Sequence, residues 1–445
     1  MSGFTGSARR AAYATLLVWM AGDAYPDLRL RDEIRKNRLD ERDAAFASHL
    51  VYGVIERQML LDYHIARASS VKLRKLEDRV LCLLRLGAYQ LFFSSGVPKS
   101  AAVNETVALA NSLKNPGAKR YVNAVLRALS AVENPLAVDC PDRVEALSIR
   151  ESHPRFIVEE YTSLLGEEGA EAALAANNRA PAITVSVNRT RISAEELARV
   201  FHAEGVTAEK IPELPDMLRV SETGDLTVLP SYRDGLFFVQ DMASRLAVEA
   251  LAPVPGERLL DVAAAPGGKS FAAGIRMENR GDILACDLHP HKVPLIEAGA
   301  ARLGLSCIRA ECADATEERP GLISSFDRVI CDVPCSGLGV IRKKPDIRYK
   351  DPEQFSALPG IQRKILANGA RYLKPGGRLL YSTCTYRKEE NDAVVDRFVD
   401  ENPGFEFLPF RLPSGIDAPG GKCLLWPHIH GTDGFFICLI GKKDV

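Results

Sequence analysis

Apolar positions in the first 135 or so residues recur at intervals of three and four. The stretches AAYATLLVWMAG, RDAAFASHLVYGVIERQMLLDYHIA and LEDRVLCLLRLGAYQLFF each carry this stripe, which puts apolar side chains on one face of a helix. Pro98 opens a further run, AAVNETVALANSL, and KRYVNAVLRALS follows it. Strand-like alternation is almost absent, so residues 1–140 predict an all-α bundle. ENPLAVDCPD, with its two prolines, predicts a linker.

The pattern then changes twice. Residues 141–238 are mixed and predict a small α+β module. HPRFIVEEYTSLLGEEGAEAALAANN predicts two short helices, and the alternating β-branched residues of PAITVSVNRTR predict a strand. SAEELARVFHAEG predicts a helix capped by Ser193, with Glu196 three residues on completing a capping box. MLRVSE, LTVLPS and GLFFVQD predict short β pieces. Over residues 239–445, strand-like and helical stretches alternate: LLDVA, GDILACDL, CIRAEC, FDRVICDV and GGRLLYSTC read as strands. That order predicts a doubly wound, largely parallel α/β sheet of the Rossmann-like kind. GFFICLIG is expected to add an antiparallel edge strand. The fold class expected is therefore multidomain: helical bundle, α+β module, α/β domain.

Bulk properties narrow the function classes. The 445 residues are 46% hydrophobic and 26% charged, the balance of a globular protein, and no apolar run reaches membrane-spanning length. Arg9 and Arg10 precede an apolar stretch, but no small-residue cleavage site follows, so an ordinary first helix is expected rather than a secretion signal. The ten cysteines form no regular framework, which suits a reducing cytoplasm. No cysteine pair has C-x-x-C spacing, and the pairs His289/His291 and His428/His430 lack a third ligand, so no metal is expected. Net charge is −1, yet residues 1–140 carry +6 and the remainder −7. A basic N-terminal segment is compatible with nucleic-acid binding. No oligomerisation signal is visible, so a monomer is expected.

Candidate chemistry gathers at the predicted strand ends. After the first strand of the α/β half comes AAAPGGK: Ala263, Ala264, Ala265, Pro266, Gly267, Gly268 and Lys269. Its glycines let backbone approach a ligand, but the loop matches neither the dinucleotide fingerprint nor the phosphate loop. Asp287 ends the next strand, where a carboxylate accepts hydrogen bonds from a ribose diol. Asp314 follows the third strand, placed for an adenine end. One loop and two strand-end carboxylates suit a nucleoside, and a cationic sulfonium better than a pyrophosphate. The fourth strand then ends in Asp332, Pro334 and Cys335, and the fifth in Thr383 and Cys384.

The segments DVPCSGLGVIRKKPDI and LLYSTCTYRKEEN resemble the motifs of RNA cytosine-C5 methyltransferases that use S-adenosylmethionine. VPKSAAVNETVALA and KRYVNAVLRAL resemble the NusB fold, and the combination is similar to the Sun/RsmB family of 16S rRNA methyltransferases over nearly the whole chain. Departures are small: DVPCS where the family often has D-A-P-C-S, T-C-T for T-C-S, and Ala263 where a cysteine is common. The resemblance implies Cys384 as the nucleophile that adds to cytosine C6, and Cys335 as the residue needed for product release. It implies Asp332 at N3 and the amino group of the ring, with Lys269 helping to position Asp332. The cofactor loop, Asp287, Asp314 and Asp332 would hold S-adenosylmethionine. A cytosine inside a helix cannot present C6 to a thiol, so an unstacked or flipped base is required. RKKPDIRYK, residues 342–350, holds five basic residues and one acid beside the catalytic strand. Arg342, Lys343, Lys344 and Arg348 are therefore expected to grip phosphates. Two other readings stand beside this one. The same chemistry could act on tRNA or another rRNA position, and a NusB-like RNA-binding regulator could carry an inactive catalytic half.

Overall fold

The computed structural model describes residues 5–22, 25–113, 116–413 and 415–444. The chain forms two compact units: Met1–Asn178 with Lys344–Tyr349, and Arg179–Lys343 with Lys350–Val445.

The first unit is helical. Its helices run Thr5–Met20, Pro26–Asn37, Glu41–Ala68, Asp78–Phe93, Lys99–Leu109, Pro116–Leu129, Arg143–Glu151 and Arg155–Asn177. Glu41–Ala68 starts where the Asp40 carboxylate accepts from the Asp43 N–H, and it buries Leu50, Val51, Val54, Ile55, Leu61 and Ile65. Asp78–Phe93 is buried along nearly all of Val80–Leu91, as the central helix of a bundle must be. Gly53 lets the two helices meet, since a Cβ there would lie 1.9 Å from Tyr89 Cζ. The last helix breaks at Gly166, at φ 70°, into the two expected pieces.

A hexapeptide from far along the chain completes this unit. Arg348 is fully buried, and its Nη1 donates to Glu56 O at 3.0 Å, Ser152 O at 3.0 Å and Asn178 Oδ1 at 3.1 Å. Tyr349 donates its hydroxyl to Ile55 O at 2.9 Å and sets its ring edge-on to Trp19. Phosphate gripping by Arg348 is thereby corrected: a guanidinium enclosed by carbonyl oxygens is not available to RNA.

The second unit holds two main sheets. Strands β1 (Ile183–Val187), β2 (Thr207–Lys210), β3 (Met217–Ser221) and β4 (Phe237–Val239) form an antiparallel sheet in the order β2-β3-β1-β4. Helix Ala194–Ala203 packs on it through Leu197 and Phe201, behind the Ser193–Glu196 capping box. LTVLPS is not β. It forms a 3-10 turn at Leu226–Val228 and a short helix at Pro230–Arg233, because Asp225 caps the first and Pro230 starts the second.

The larger sheet contains β5 (Arg258–Asp261), β6 (Asp282–Asp287), β7 (Ile308–Cys312), β8 (Phe326–Asp332) and β9 (Leu373–Thr383), all parallel. The short β11 (Phe410–Arg411) and β12 (Asp417–Ala418) pair with each other elsewhere. β10 (Phe405–Phe407), β13 (Lys422–Leu425) and β14 (Phe435–Lys442) complete an eight-stranded sheet with the path β10-β14-β9-β8-β5-β6-β7. β14 is antiparallel to β9, as expected, but it is not an edge: β10 and β13 both pair with it. Its run Phe435–Gly441 is buried throughout, which an edge strand open to water would not tolerate. Strand order reverses between β5 and β8, and that is where doubly wound sheets open a ligand crevice.

Candidate active site

The crevice forms at the carboxyl ends of β5 and β8. A cavity of about 250 Å³ lies there, lined by Gln240, Asp241, Asp261, the loop Ala263–Pro266, Gly268, Lys269 and Asp332, with Val239 and Ser244. The loop is held at its start by Ala264 N, which donates to Cys286 O at 2.7 Å on β6. The Ala265–Pro266 peptide is cis. Gly267 turns the chain at φ +113° into helix Gly268–Arg276, and a Cβ there would meet the Phe271 ring at 2.3 Å. Gln240 ties this loop to the smaller sheet: its Nε2 donates to Gly268 O at 3.0 Å and its Oε1 accepts from Ser186 Oγ at 2.7 Å.

Four carboxylates mark the strand ends. Asp261, at the end of β5, accepts from Ser270 Oγ at 2.7 Å through Oδ2, while Oδ1 is buried with no hydrogen-bond partner among the described residues. Burial pushes its carboxyl up to about 7, and the neighbouring Asp332 adds to the effect, against the Ser270 bond and the Lys269 charge. Asp287, at the end of β6, accepts from Ala265 N at 3.3 Å and His289 N at 3.0 Å, so it braces the Ala263–Gly268 loop. Asp314 lies beyond β7, where bonds from Thr316 Oγ1 and N hold its carboxyl below the usual range. It borders a small apolar recess with Leu260, Val262 and Cys286, apart from the main cavity.

Asp332 ends β8. Its Oδ2 accepts from Lys269 Nζ at 2.7 Å and its Oδ1 from Ser382 Oγ at 2.7 Å. The Lys269 side chain is buried and its ammonium lies 5.0 Å from the centre of the Phe435 ring. Two residues past Ser382, the Cys384 sulfur lies 3.2 Å from the Cys335 sulfur. Both cysteines are half-buried. The Cys384 hydrogen bond, then burial, then the charges of Cys384 and Glu390 push the Cys335 thiol well up. Gly339 lets its own loop cross here: its N donates to Cys384 O at 2.9 Å, and a Cβ would meet Gly434 O at 1.9 Å. The structure thus gathers Lys269, Asp332, Cys335 and Cys384 at one end of β8 and β9, with the Ala263–Gly268 loop opposite.

The basic run behaves otherwise than expected. Arg342 Nε donates to Asp433 Oδ1 at 2.9 Å, and Lys343 Nζ donates to Asp241 Oδ2 and Asp433 Oδ2, each at 2.6 Å. Burial works to raise Asp241, but the charge and hydrogen bond of Lys343, the Ala243 N–H and the Arg342 charge together outweigh it and its carboxyl lies below the usual range; burial and Asp241 hold Asp433 above it. These two cations offset acids inside the fold, which corrects their reading as phosphate grips. Lys344 alone of the four is exposed and without an ion pair among the described residues.

Sequence reasoning missed Gln240, Asp241, Asp261, Glu390 and Asn391. Asp261 carried a usable signal, because it ends its strand as Asp287 and Asp332 end theirs. The others act through contacts between distant segments and left none. Among the described residues no His, Cys, Asp and Glu cluster could hold a metal ion, and no helix is long and apolar enough to cross a membrane.

Comparison with known proteins gives the lineage of this arrangement. Residues 248–440 match the family model for 16S rRNA methyltransferase RsmB/F, residues 6–131 that of the NusB family, and residues 153–227 that of the RsmF/B-like ferredoxin-like domain. Over 444 residues the chain is 37% identical to a probable ribosomal RNA small subunit methyltransferase B of Bacillus subtilis, covering 98% of this chain and 99% of the relative. The chain belongs to the RsmB/F family of 16S rRNA methyltransferases. Solved structures share the architecture. The crystal structure of PH0851 superposes with a TM-score of 0.82 at 25% identity, covering 98% of this chain and 99% of that one. A methyltransferase homologue protein from Pyrococcus horikoshii gives 0.59 at 28% identity, covering 68% of this chain and all (100%) of its own. The NusB match covers the first six helices of the helical unit, and the ferredoxin-like match runs from its last helix, Arg155–Asn177, through β1–β3.

Proposed function

We propose that this protein transfers a methyl group from S-adenosylmethionine to C5 of a cytosine in 16S rRNA, through a covalent bond between Cys384 and C6. The observation that carries the reading is the pair of sulfurs 3.2 Å apart beside the Lys269–Asp332 ion pair at the sheet's switch point.

The cavity suits the cofactor. Asp261 lines it with a carboxylate that could meet a cation, and Asp287 and Asp314, outside that lining, stand at two further strand ends. Asp261 and the Ala263–Gly268 backbone would hold the methionine end, Asp287 the ribose and Asp314 the adenine end. When bound, S-adenosylmethionine supplies an electrophilic methyl group.

The chain's own groups do the remainder. Cytosine C5 is a weak nucleophile. Addition of the Cys384 thiolate to C6 forms an S–C bond and moves electron density to C5 and N3, which makes C5 reactive. Asp332, fixed by Lys269 and Ser382, stands where it can hold the N3 proton and the amino group as charge develops. After methylation Cys335, having lost its own proton to solvent, takes the C5 proton; the C–H electrons re-form the C5–C6 double bond, the S–C6 bond breaks, and Cys384 leaves as its thiolate. Cys335 touches the departing sulfur and serves this release step. The target base reaches the site unstacked.

The test is a denaturing gel. Cys335→Ala incubated with S-adenosylmethionine and naked 16S rRNA is expected to give a shifted protein–RNA band, and Cys384→Ala none. Methylation by the wild type without a trapped band in Cys335→Ala would overturn the assigned roles. Failure of the wild type to methylate 16S rRNA would overturn the substrate.

A further inference from the structure

Both cysteine loops are tied to one dipeptide, Glu390-Asn391, in the turn before helix Asp392–Glu401. Asn391 brackets Cys384: its Oδ1 accepts from Thr383 Oγ1 at 2.5 Å, and its Nδ2 donates to Thr385 O at 2.9 Å. Glu390 holds the other loop. Its Oε2 accepts from Ser336 N at 2.9 Å and from Gln362 Nε2 at 3.0 Å, and the same Gln362 nitrogen donates to Pro334 O at 2.9 Å. Cys335 lies between those two anchored residues. A Ser336 Oγ to Thr385 Oγ1 bond of 2.8 Å closes the frame, and the Tyr381 hydroxyl fixes Glu390 by donating to its carbonyl at 2.6 Å.

The frame is asymmetric in charge. Glu390 is fully buried, and its Oε1 has no hydrogen-bond partner among the described residues. A neutral amide side chain braces Cys384, whereas a buried carboxylate braces Cys335. Two sulfurs in contact cannot both be ionised, because like charges at that range repel strongly. One negative charge is therefore shared out, and the fixed charge nearer one sulfur decides where it sits.

We propose that Glu390 and Asn391 are positioning residues: together they set the contact between the thiols, and Glu390 directs the negative charge to Cys384, leaving the proton on Cys335. This rests on the methyltransferase reading above and deepens it. The groups facing Cys335 agree with it. They are the Cys384 sulfur, the Glu390 carboxylate, the Tyr381 hydroxyl and the Gly337 N–H, and the first two both push its thiol up. Asp332 is turned away, to Lys269 and Ser382. Once Cys384 is bonded to C6 its charge has passed to the ring. The strongest restraint on Cys335 is then gone, and Cys335 becomes able to lose its proton at the release stage.

The experiment alkylates the full-length protein with limiting iodoacetamide, without RNA or cofactor, from pH 6 to 10, and counts label on each cysteine by mass spectrometry. The wild type is expected to label Cys384 at least about tenfold faster than Cys335, tenfold being one unit of difference in acidity. Glu390→Gln is expected to bring the two rates within about threefold and to move Cys335 labelling to lower pH. Glu390→Asp, which keeps the charge, is expected to restore the preference. An unchanged preference in Glu390→Gln overturns the proposal, as does faster labelling of Cys335 in the wild type or Glu390→Asp. The latter pair decides it even if Glu390→Gln does not fold. Labelling needs no substrate, so a protein inactive on 16S rRNA but with the expected order would sink the functional reading alone.

Discussion

Under the proposed function, the carboxyl group of Asp261 would couple cofactor binding to pH. Burial lifts it from the ordinary 3.8 to about 7, an interval that corresponds to about 4 kcal/mol at 1.36 kcal/mol per unit. Asp261 lines the cavity that is proposed to receive the cationic methionine end of the cofactor. A cation there favours the ionised form, so a proton must leave when the cofactor binds below pH 7. Affinity for S-adenosylmethionine should therefore rise about 15-fold between pH 5.5 and 7, following the ionised fraction of one group titrating near 7. Isothermal titration calorimetry in two buffers of different ionisation enthalpy would show the released proton directly. Asp261→Asn keeps the shape and the Ser270 contact but not the charge. Its affinity should be weaker and nearly flat over the same range, and the difference between the two curves isolates Asp261 from other titrating groups. The unliganded protein supplies a sign check. Between about pH 4 and 7 the folded chain keeps this proton and the unfolded chain has lost it, so the contribution to stability falls as pH rises through that window. Urea midpoints should decline from pH 5 to 7.5 more steeply in the wild type than in Asp261→Asn. A wild-type affinity that does not move between pH 5.5 and 7, or an asparagine variant that tracks it, would refute the reasoning.

Three further substitutions test the proposal that Lys344, unlike Arg342 and Arg348, faces RNA. Arg348→Met removes three charge-assisted bonds but also a buried charge; the net loss should be about 2–3 kcal/mol in chemical denaturation of the helical unit, with cofactor affinity unchanged. If Lys344 makes a phosphate contact as proposed, Lys344→Ala should weaken RNA binding a fewfold and lower the log–log salt slope by about 1. Arg342→Ala should leave that slope unchanged, because its guanidinium already answers Asp433. The opposite pattern in filter binding across salt concentrations would restore the expectation that Arg342 grips phosphate.

Much of this architecture is legible in the residue pattern, for physical reasons that also explain where legibility stops. The parallel strands β5, β6, β8 and β9 read clearly because burial on both faces demands near-continuous apolar runs, and polar or acidic residues resume at each carboxyl end. The same signal placed Asp287, Asp332 and Cys384 at one edge. LTVLPS failed because three apolar residues before a proline fit a 3-10 turn as well as a strand. β2, with the sequence TAEK, is mostly exposed and showed no apolar pattern at all. The run RKKPDIRYK misled because a string of cations says nothing about what faces it. Asp241 and Asp433 lie about a hundred residues to either side, and the carbonyls around Arg348 farther still. Glu390 and Asn391 were invisible for the same reason: their meaning lies in Ser336, Gln362, Thr383 and Thr385.

The hexapeptide that finishes the helical unit has a consequence for synthesis. Arg348 meets Glu56 across 292 positions of chain. At ribosomal speeds of 5–20 residues per second, the interval between emergence of Asn178 and of Tyr349 is on the order of 10–35 s. During that time the new helices carry a slot lined by the Glu56 and Ser152 carbonyls, and no guanidinium exists to fill it. The helical unit therefore matures only after much of the catalytic half has been made. Nor is it a cassette that can be cut at residue 178: a hybrid that takes its catalytic half from a relative imports part of the helical core with it.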